Sequence, residues 1–173
     1  MARTLLVSLL ALLWFGCTSA EEKAARQRER ATAARQLFDQ TVKQFHLPSA
    51  DAQGAERDRL LGEAAKGYET LLRRYPEQSV QGAMALRSLG NVRATQGKLD
   101  EAVKLYARVG QDYAGNEWEV LQAWKSAADL LWEAGRQAEA TPYYRQIVTQ
   151  YAGTNQPSVV QVVIRAAQRR LGG

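Results

Sequence analysis

A period of 38 residues constrains this chain more than any other feature of its sequence. The segment 97–115 (GKLDEAVKLYARVGQDYAG) recurs at 135–153 (GRQAEATPYYRQIVTQYAG), with glycine, alanine, tyrosine and a final Tyr-Ala-Gly at matching places. The same small and aromatic residues occur one period earlier, at Ala64, Tyr68 and Tyr75. A fixed period of roughly 20 to 50 residues is typical of proteins built from stacked structural repeats. The sequence therefore predicts a stack of similar units.

Apolar residues recur at three- and four-residue spacings, which predicts that each unit is helical. No segment alternates like a strand, so we expect an all-α fold. The predicted helices cover 21–45, 55–74, 79–96, 98–113, 117–134, 137–151 and 157–171.

Capping residues and prolines set the expected helix ends. Ser79 is a predicted N-cap, and Gly97 and Gly135 are predicted C-terminal glycines. Since proline is tolerated in the first turn of a helix, Pro142 predicts that the sixth helix starts late, with Thr141 as its cap. Pro48 marks a predicted loop of about ten residues.

The order of these landmarks resembles the tetratricopeptide repeat. In that pattern the second helix of a pair carries Gly, then Ala five residues on, then Tyr four further, as at Gly97, Ala102 and Tyr106. The first helix carries a large residue followed by Leu and Gly three and four residues later, and the matching residues are Leu86, Leu89 and Gly90. The resemblance covers about 56–173. It implies a short all-α solenoid of about three helix pairs and a C-terminal capping helix, preceded by an N-terminal helix and loop at 21–55.

The period is longer than the usual tetratricopeptide length of about 34 residues. Together with the segment 75–90 (YPEQSVQGAMALRSLG), this spacing resembles the repeats of Gram-negative envelope lipoproteins. Examples are the lipoprotein partner of the barrel-assembly machine, the periplasmic coordinator of the Tol–Pal system and the pilotins of pilus secretins. The resemblance implies a non-catalytic adaptor that binds protein partners in the bacterial envelope.

Residues 1–20 have the composition of an export signal. Arg3 precedes an apolar run at 4–15, and small residues follow. Cys17, directly after Gly16, resembles the lipidated cysteine of a bacterial lipobox. Lipidation there predicts a lipoprotein on the periplasmic face of the outer membrane, held to the membrane by its lipid anchor. The alternative is cleavage after Ala20, which predicts a soluble periplasmic protein.

Charge and chemistry argue against two other classes of protein. The net charge of +5 is spread along the chain, whereas nucleic-acid-binding proteins usually concentrate basic residues in a patch. We therefore expect no nucleic-acid partner. The one histidine, His46, is predicted to be a surface loop residue. There is no zinc-ligand spacing and no phosphate-binding glycine loop, so we expect no catalysis, metal or cofactor.

The repeated tyrosines are predicted to be packing residues because each recurs at one place in the repeat. Trp124 falls at a core position, whereas Trp118 and Trp132 are better candidates for exposed binding aromatics. In a stack of this kind, partners usually bind the concave face formed by the first helix of each pair. The residues expected to face that groove are Met84, Arg87, Asn91, Thr95, Gln122, Lys125, Asp129 and Trp132.

Six of these residues are the predicted partner-binding set: Arg87, Asn91, Gln122, Lys125, Asp129 and Trp132. The pair Arg87 and Asn91 resembles half of the clamp by which some tetratricopeptide domains hold a partner's C-terminal carboxylate. Ser126, Val160 and Ile164 stand where the rest of the clamp is expected, so carboxylate capture is not supported. A mixed polar groove suits an extended or helical peptide segment.

The last predicted helix contains a nearly continuous apolar run at 159–164. This run suggests either a capping helix or an exposed apolar end. The second possibility leads to an alternative function, in which the protein is a structural subunit or pilotin-like assembly factor of an outer-membrane machine and docks through this helix.

Overall fold

A computed structural model describes residues 2–153 and 155–172, with side chains from Ala20 onward. Within these ranges every regular element is helical, which confirms the all-α prediction. The elements are α1 (Ala2–Thr41), a π-helical turn (Val42–His46), α2 (Pro48–Asp51), α3 (Gly54–Arg74), α4 (Ser79–Thr95), α5 (Leu99–Asp112), α6 (Glu117–Glu133), α7 (Gln137–Gln150) and α8 (Ser158–Gly172).

The helices from α3 to α8 form a stack in which each packs on the next. Helix α4 also contacts α1 and α6, so these three form one face of the stack, which we call the inner face. Helices α3, α5 and α7 form the outer face. Helix α1 pairs with α3, α4 with α5, and α6 with α7, and α8 covers the end. This arrangement confirms the predicted all-α solenoid with a C-terminal capping helix, while the N-terminal helix α1, predicted to precede the helix pairs, is a member of the first pair.

Three hydrophobic clusters hold the stack together, one for each outer helix. The first joins α1, α3 and α4 around Tyr68, the second joins α4, α5 and α6 around Tyr106, and the third joins α6, α7 and α8 around Tyr144. These three tyrosines are at most 3% exposed. Burying a large apolar side chain contributes about 1.5–3 kcal/mol. The prediction that the repeated tyrosines are packing residues is therefore confirmed at these positions.

Glycines on α4 allow one tyrosine of α5 and one directly after it to pack closely. A Cβ atom at Gly90 would lie 2.6 Å from the ring of Tyr106, and one at Gly82 would lie 2.5 Å from the hydroxyl oxygen of Tyr113. No ordinary side chain tolerates such a contact without movement. The glycine in the repeat pattern of Leu86, Leu89 and Gly90 thus has a steric cause.

The predicted C-terminal glycines are confirmed, and the predicted N-cap is wrong. Gly97 and Gly135 have φ of +74° and +76°, in the left-handed region that favours glycine. After Gly97, the backbone N–H of Lys98 donates to the carbonyl of Arg93. At the other end of α4 the cap position is Gln78, which makes no side-chain capping hydrogen bond, and Ser79 is the first helical residue.

The late start predicted for the sixth helix is also wrong. Helix α7 begins at Gln137 and continues through Pro142. The proline removes one backbone hydrogen bond, at a cost of about 3 kcal/mol, but Tyr144 and Ile147 are buried on the same helix and offset that loss. The Thr141 hydroxyl does not cap the helix; it donates to the carbonyl of Gln137 at 2.9 Å.

The loop predicted around Pro48 is largely helical. The π-helical turn ends at His46, and Pro48 opens α2, where its missing N–H costs little because the first turn has no intrahelical partner for it. Ser49 is buried, and its hydroxyl donates to the carbonyl of His46 at 2.6 Å. The turn therefore folds back onto the solenoid.

The N-terminal predictions concern mainly residues whose side chains the structure does not describe. The predicted lipidation site, Cys17, and most of the predicted signal peptide precede Ala20, where the described side chains begin. None of the helices in the described ranges combines enough length and apolar character to traverse a lipid bilayer.

The close packing at Gly90 leads to a stability prediction. We expect Gly90→Ala to lower the free energy of unfolding by about 1–3 kcal/mol, because the new methyl group overlaps the ring of Tyr106. The control is Gly62→Ala, at a helical position with nothing within 4 Å of the added Cβ. It should stabilise the protein by about 0.5–1 kcal/mol. Urea denaturation measures both, and equal effects of the two substitutions would contradict the steric explanation.

Candidate functional site

The candidate site is the inner face, which carries all six predicted partner-binding residues. Arg87 and Asn91 lie on α4, and the other four lie on α6, and each is half-buried. Their binding of a partner remains a prediction. The contacts that each side chain makes within the protein determine what it has left to offer.

Arg87 forms an ion pair that links two inner helices. Its Nε donates to an oxygen of Glu119 on α6 at 2.6 Å, and the two side chains are only 23% and 11% exposed. Sequence reasoning missed Glu119, because its partner lies 32 residues away along the chain. Removing one partner of a buried pair leaves the other charge without compensation. The pair is therefore structural, and Arg87 presents only its remaining N–H groups to the groove.

The same hydrogen bond occurs on the inner face of two consecutive repeats. The Tyr106 hydroxyl donates to Oδ1 of Asn91 at 2.8 Å, and the Tyr144 hydroxyl donates to Oδ1 of Asp129 at 2.7 Å. The donors are 38 residues apart, and so are the acceptors. Burial raises the pKa of Tyr106 to about 12 and also raises the pKa of Tyr144, so both hydroxyls remain donors at neutral pH.

Lys125 completes a small network on α6. Its Nζ lies 2.5 Å from Oδ2 of Asp129, one helical turn away, so both carboxylate oxygens of Asp129 already have a partner. Gln122, one turn before Lys125, makes no side-chain hydrogen bond with the described residues. Gln122 is therefore the member of the predicted set with the most unused hydrogen-bonding capacity.

The two tryptophans predicted to be exposed differ. Trp118, the second residue of α6, is 45% exposed, as expected. Trp132 is half-buried, with its ring edge-on to Tyr144 at a centroid separation of 5.9 Å. The Arg170 guanidinium lies 4.8 Å above the Trp132 ring. The prediction of an exposed aromatic is therefore wrong for Trp132, because α8 folds over it.

A cleft of about 420 Å³ lies where the inner face meets α8. Tyr144 and Ile147 of α7 line it together with residues from both neighbouring helices. Those from α6 are Lys125, Asp129 and Glu133, and those from α8 are Val163, Ala166, Ala167, Arg169 and Arg170. A second cleft of about 630 Å³ lies on the outer face between α5 and α7, and Trp124 lines it. Trp124 is half-buried, so its predicted core position is confirmed only in part.

His46 is not the surface loop residue that the sequence suggested. It is half-buried at the end of the π-helical turn, and its Nδ1 lies 2.7 Å from the hydroxyl oxygen of Tyr68. Burial lowers the pKa of His46, and the positive charge of Arg87 lowers it further. A histidine that follows a helix in the sequence gives no local sign of such a contact, because its partner is 22 residues away.

Among the residues with described side chains, no three His, Cys, Asp or Glu groups come together as a metal site requires.

The environment of His46 makes folding stability depend on pH. Because the pKa of His46 is lower in the folded protein than in the unfolded chain, the unfolded chain binds more protons below about pH 6.5. We expect the contribution of His46 to the free energy of unfolding to be complete well above that pH and to be lost as the pH drops from about 7.5 to 5.5. His46→Gln should flatten this slope in urea titrations, since the chain has no other histidine. Equal slopes for both proteins would contradict the prediction.

Comparison with protein families gives an independent view of the repeats. Residues 50–117 match the family described as Tetratricopeptide repeat, a range that covers α3, α4 and α5. A parallel comparison with curated proteins found no match. The family match and the stacked helix pairs support a tetratricopeptide-repeat protein, and repeats of this kind generally mediate protein–protein interaction.

Proposed function

We propose that the protein is a non-catalytic adaptor of the bacterial envelope that binds a segment of a partner protein along its inner face. One observation carries this proposal. The inner face presents half-buried polar side chains from successive repeats, and bonds within the protein hold most of them in position. Ordered side chains lose less conformational entropy when a partner binds.

An accessible part of the inner face runs along the first half of α6. Trp118, Gln122 and Lys125 follow one another at helical spacing on one side of this helix. Trp118 supplies exposed aromatic surface, Gln122 supplies a free amide, and Lys125 is 40% exposed. An aromatic contact beside hydrogen-bonding groups suits a peptide segment, which offers both apolar side chains and backbone polar groups.

Selection from a peptide library tests this function. We expect random 12-residue peptides displayed on phage to converge on common sequences when selected against the full chain. Gln122→Trp should weaken their binding on the order of tenfold, about 1.4 kcal/mol, because the larger side chain occupies space on the inner face where the peptide binds. Gln146→Trp is the matched control, since Gln146 is exposed on the outer face. Failure to converge, or equal binding to the Gln122→Trp variant, would contradict the proposed function.

The location in the envelope is supported by the sequence of the first twenty residues. The apolar run at 4–15, followed by Gly16 and Cys17, fits an export signal with a lipidation site. A lipid on Cys17 would tether the solenoid to the outer membrane and leave the inner face free for periplasmic partners. One acyl chain binds a membrane only marginally, whereas several together anchor a protein stably.

The mass of the processed protein tests the location. Expression in a Gram-negative host should yield, in the membrane fraction, a chain that begins at triacylated Cys17. Cys17→Ser should abolish that species because serine offers no thiol for acylation. Intact-mass spectrometry of both proteins distinguishes the outcomes. A chain that begins at Glu21 without lipid would instead indicate a free periplasmic protein.

A further inference from the structure

Helix α8 carries a free surface that combines apolar and basic residues. Its buried side consists of Val160, Val163, Ile164 and Ala167, so part of the apolar run serves as the cap of the stack. Val159 and Val162 are 52% and 56% exposed at the start of the helix. Exposed arginines follow in its second half.

The charge of α8 is unbalanced. The helix contains Arg165, Arg169 and Arg170 and no acidic residue. None of these arginines forms a salt bridge with another described residue, whereas Arg59, Arg108 and Arg136 all pair with carboxylates of their own chain. The end of the stack therefore offers guanidinium groups to an external acidic group.

Arg170 is held in a position from which it can bind a carboxylate. Its guanidinium stacks 4.8 Å above the Trp132 ring, and Trp132 is supported in turn by Tyr144. A guanidinium stacked on an aromatic face keeps its N–H groups available at its edge, where they match the two oxygens of a carboxylate. Stacking thus orders the side chain before any partner arrives.

Arg169 and Arg170 both line the cleft between α6 and α8. The other charged residues of this cleft are Lys125, Asp129 and Glu133. Lys125 and Asp129 neutralise each other at 2.5 Å, which leaves two arginines against Glu133. The cleft therefore has one net positive charge. Its volume of about 420 Å³ is large enough to hold a side chain of a partner.

We propose that this cleft binds an internal acidic side chain of the partner segment, and that Val159 and Val162 contact an apolar residue of the same segment. The proposal rests on the proposed function and specifies its ligand. Val162 and Arg169 are seven residues apart on one side of α8, a distance of about 10.5 Å at a rise of about 1.5 Å per residue. An extended chain covers that distance in about three residues. The preferred ligand thus has Asp or Glu about three residues from a large apolar residue.

The library selection tests this specificity, since peptides fused to the phage coat protein have no free C-terminal carboxylate. Peptides selected on the full chain should contain an excess of Asp and Glu, about three residues from an apolar residue. For such a peptide, Arg169→Gln combined with Arg170→Gln should weaken binding on the order of tenfold, by the loss of charge-assisted hydrogen bonds. Glu133→Gln should strengthen binding, because it removes the opposing charge.

Opposite effects from two substitutions in one cleft are not expected if the variants merely lose stability. Arg145→Gln is the matched control, since Arg145 is exposed on α7 and does not line the cleft; it should leave binding unchanged. Peptides that lack an acidic excess, or that bind the double arginine variant equally well, would overturn the inference. If Gln122→Trp still weakened their binding, the proposed function would stand without it.

Two further outcomes would each overturn the inference, in different ways. If no peptides converge, the proposed function fails and the inference fails with it. If the full chain self-associates in sedimentation experiments, and Val159→Gln with Val162→Gln restores a monomer, then a second copy occupies the α8 surface and the inference is wrong.

Discussion

The tyrosine at the centre of each outer helix determines how the helices of this protein are arranged. Tyr106 shows the principle: its ring packs against Gly90 and its hydroxyl donates to Asn91, so two consecutive positions of α4 hold both ends of one side chain. Tyr144 bonds to Asp129 in the next repeat, and Tyr68 meets His46 in the preceding one. Burial and hydrogen bonding together fix the separation and rotation of each pair.

These tyrosine contacts link the packing of the helix pairs to the inner face. The hydroxyls of Tyr106 and Tyr144 bond to residues of α4 and α6, so these two tyrosines connect the core of their helix pairs to the inner face. The polar residues there, among them Asn91 and Asp129, therefore stabilise the fold and also shape the surface offered to a partner. Substituting them changes both properties, whereas Gln122 and Arg169 affect the surface with little effect on the core.

The 38-residue period made the helices, their pairing and the buried tyrosines predictable, because these features depend on short-range spacing that every copy repeats. The tyrosine hydrogen bonds to Asn91 and Asp129 follow the same period, but other contacts that shape the site do not repeat. Glu119 bonds to Arg87 from 32 residues away, and Arg170 covers Trp132 from the end of the chain. The contact between His46 and Tyr68 could not be predicted for the same reason, because the two residues are 22 positions apart. Pro142 is a different case. The local preference of proline for the first helical turn predicts a late start of α7, but the burial of Tyr144 and Ile147 on the same helix outweighs it.

The ion pair between Arg87 and Glu119 has a mechanical consequence. It fastens α4 to α6 on the inner side of the stack, so the spacing of these helices resists both widening and narrowing. Between α6 and α8 the corresponding link is the contact of Arg170 with the Trp132 ring, an attraction of about 0.5–1 kcal/mol at exposed sites. The inner side of the solenoid is thus joined by a buried ion pair in its middle and by a cation–π contact towards its C-terminal end.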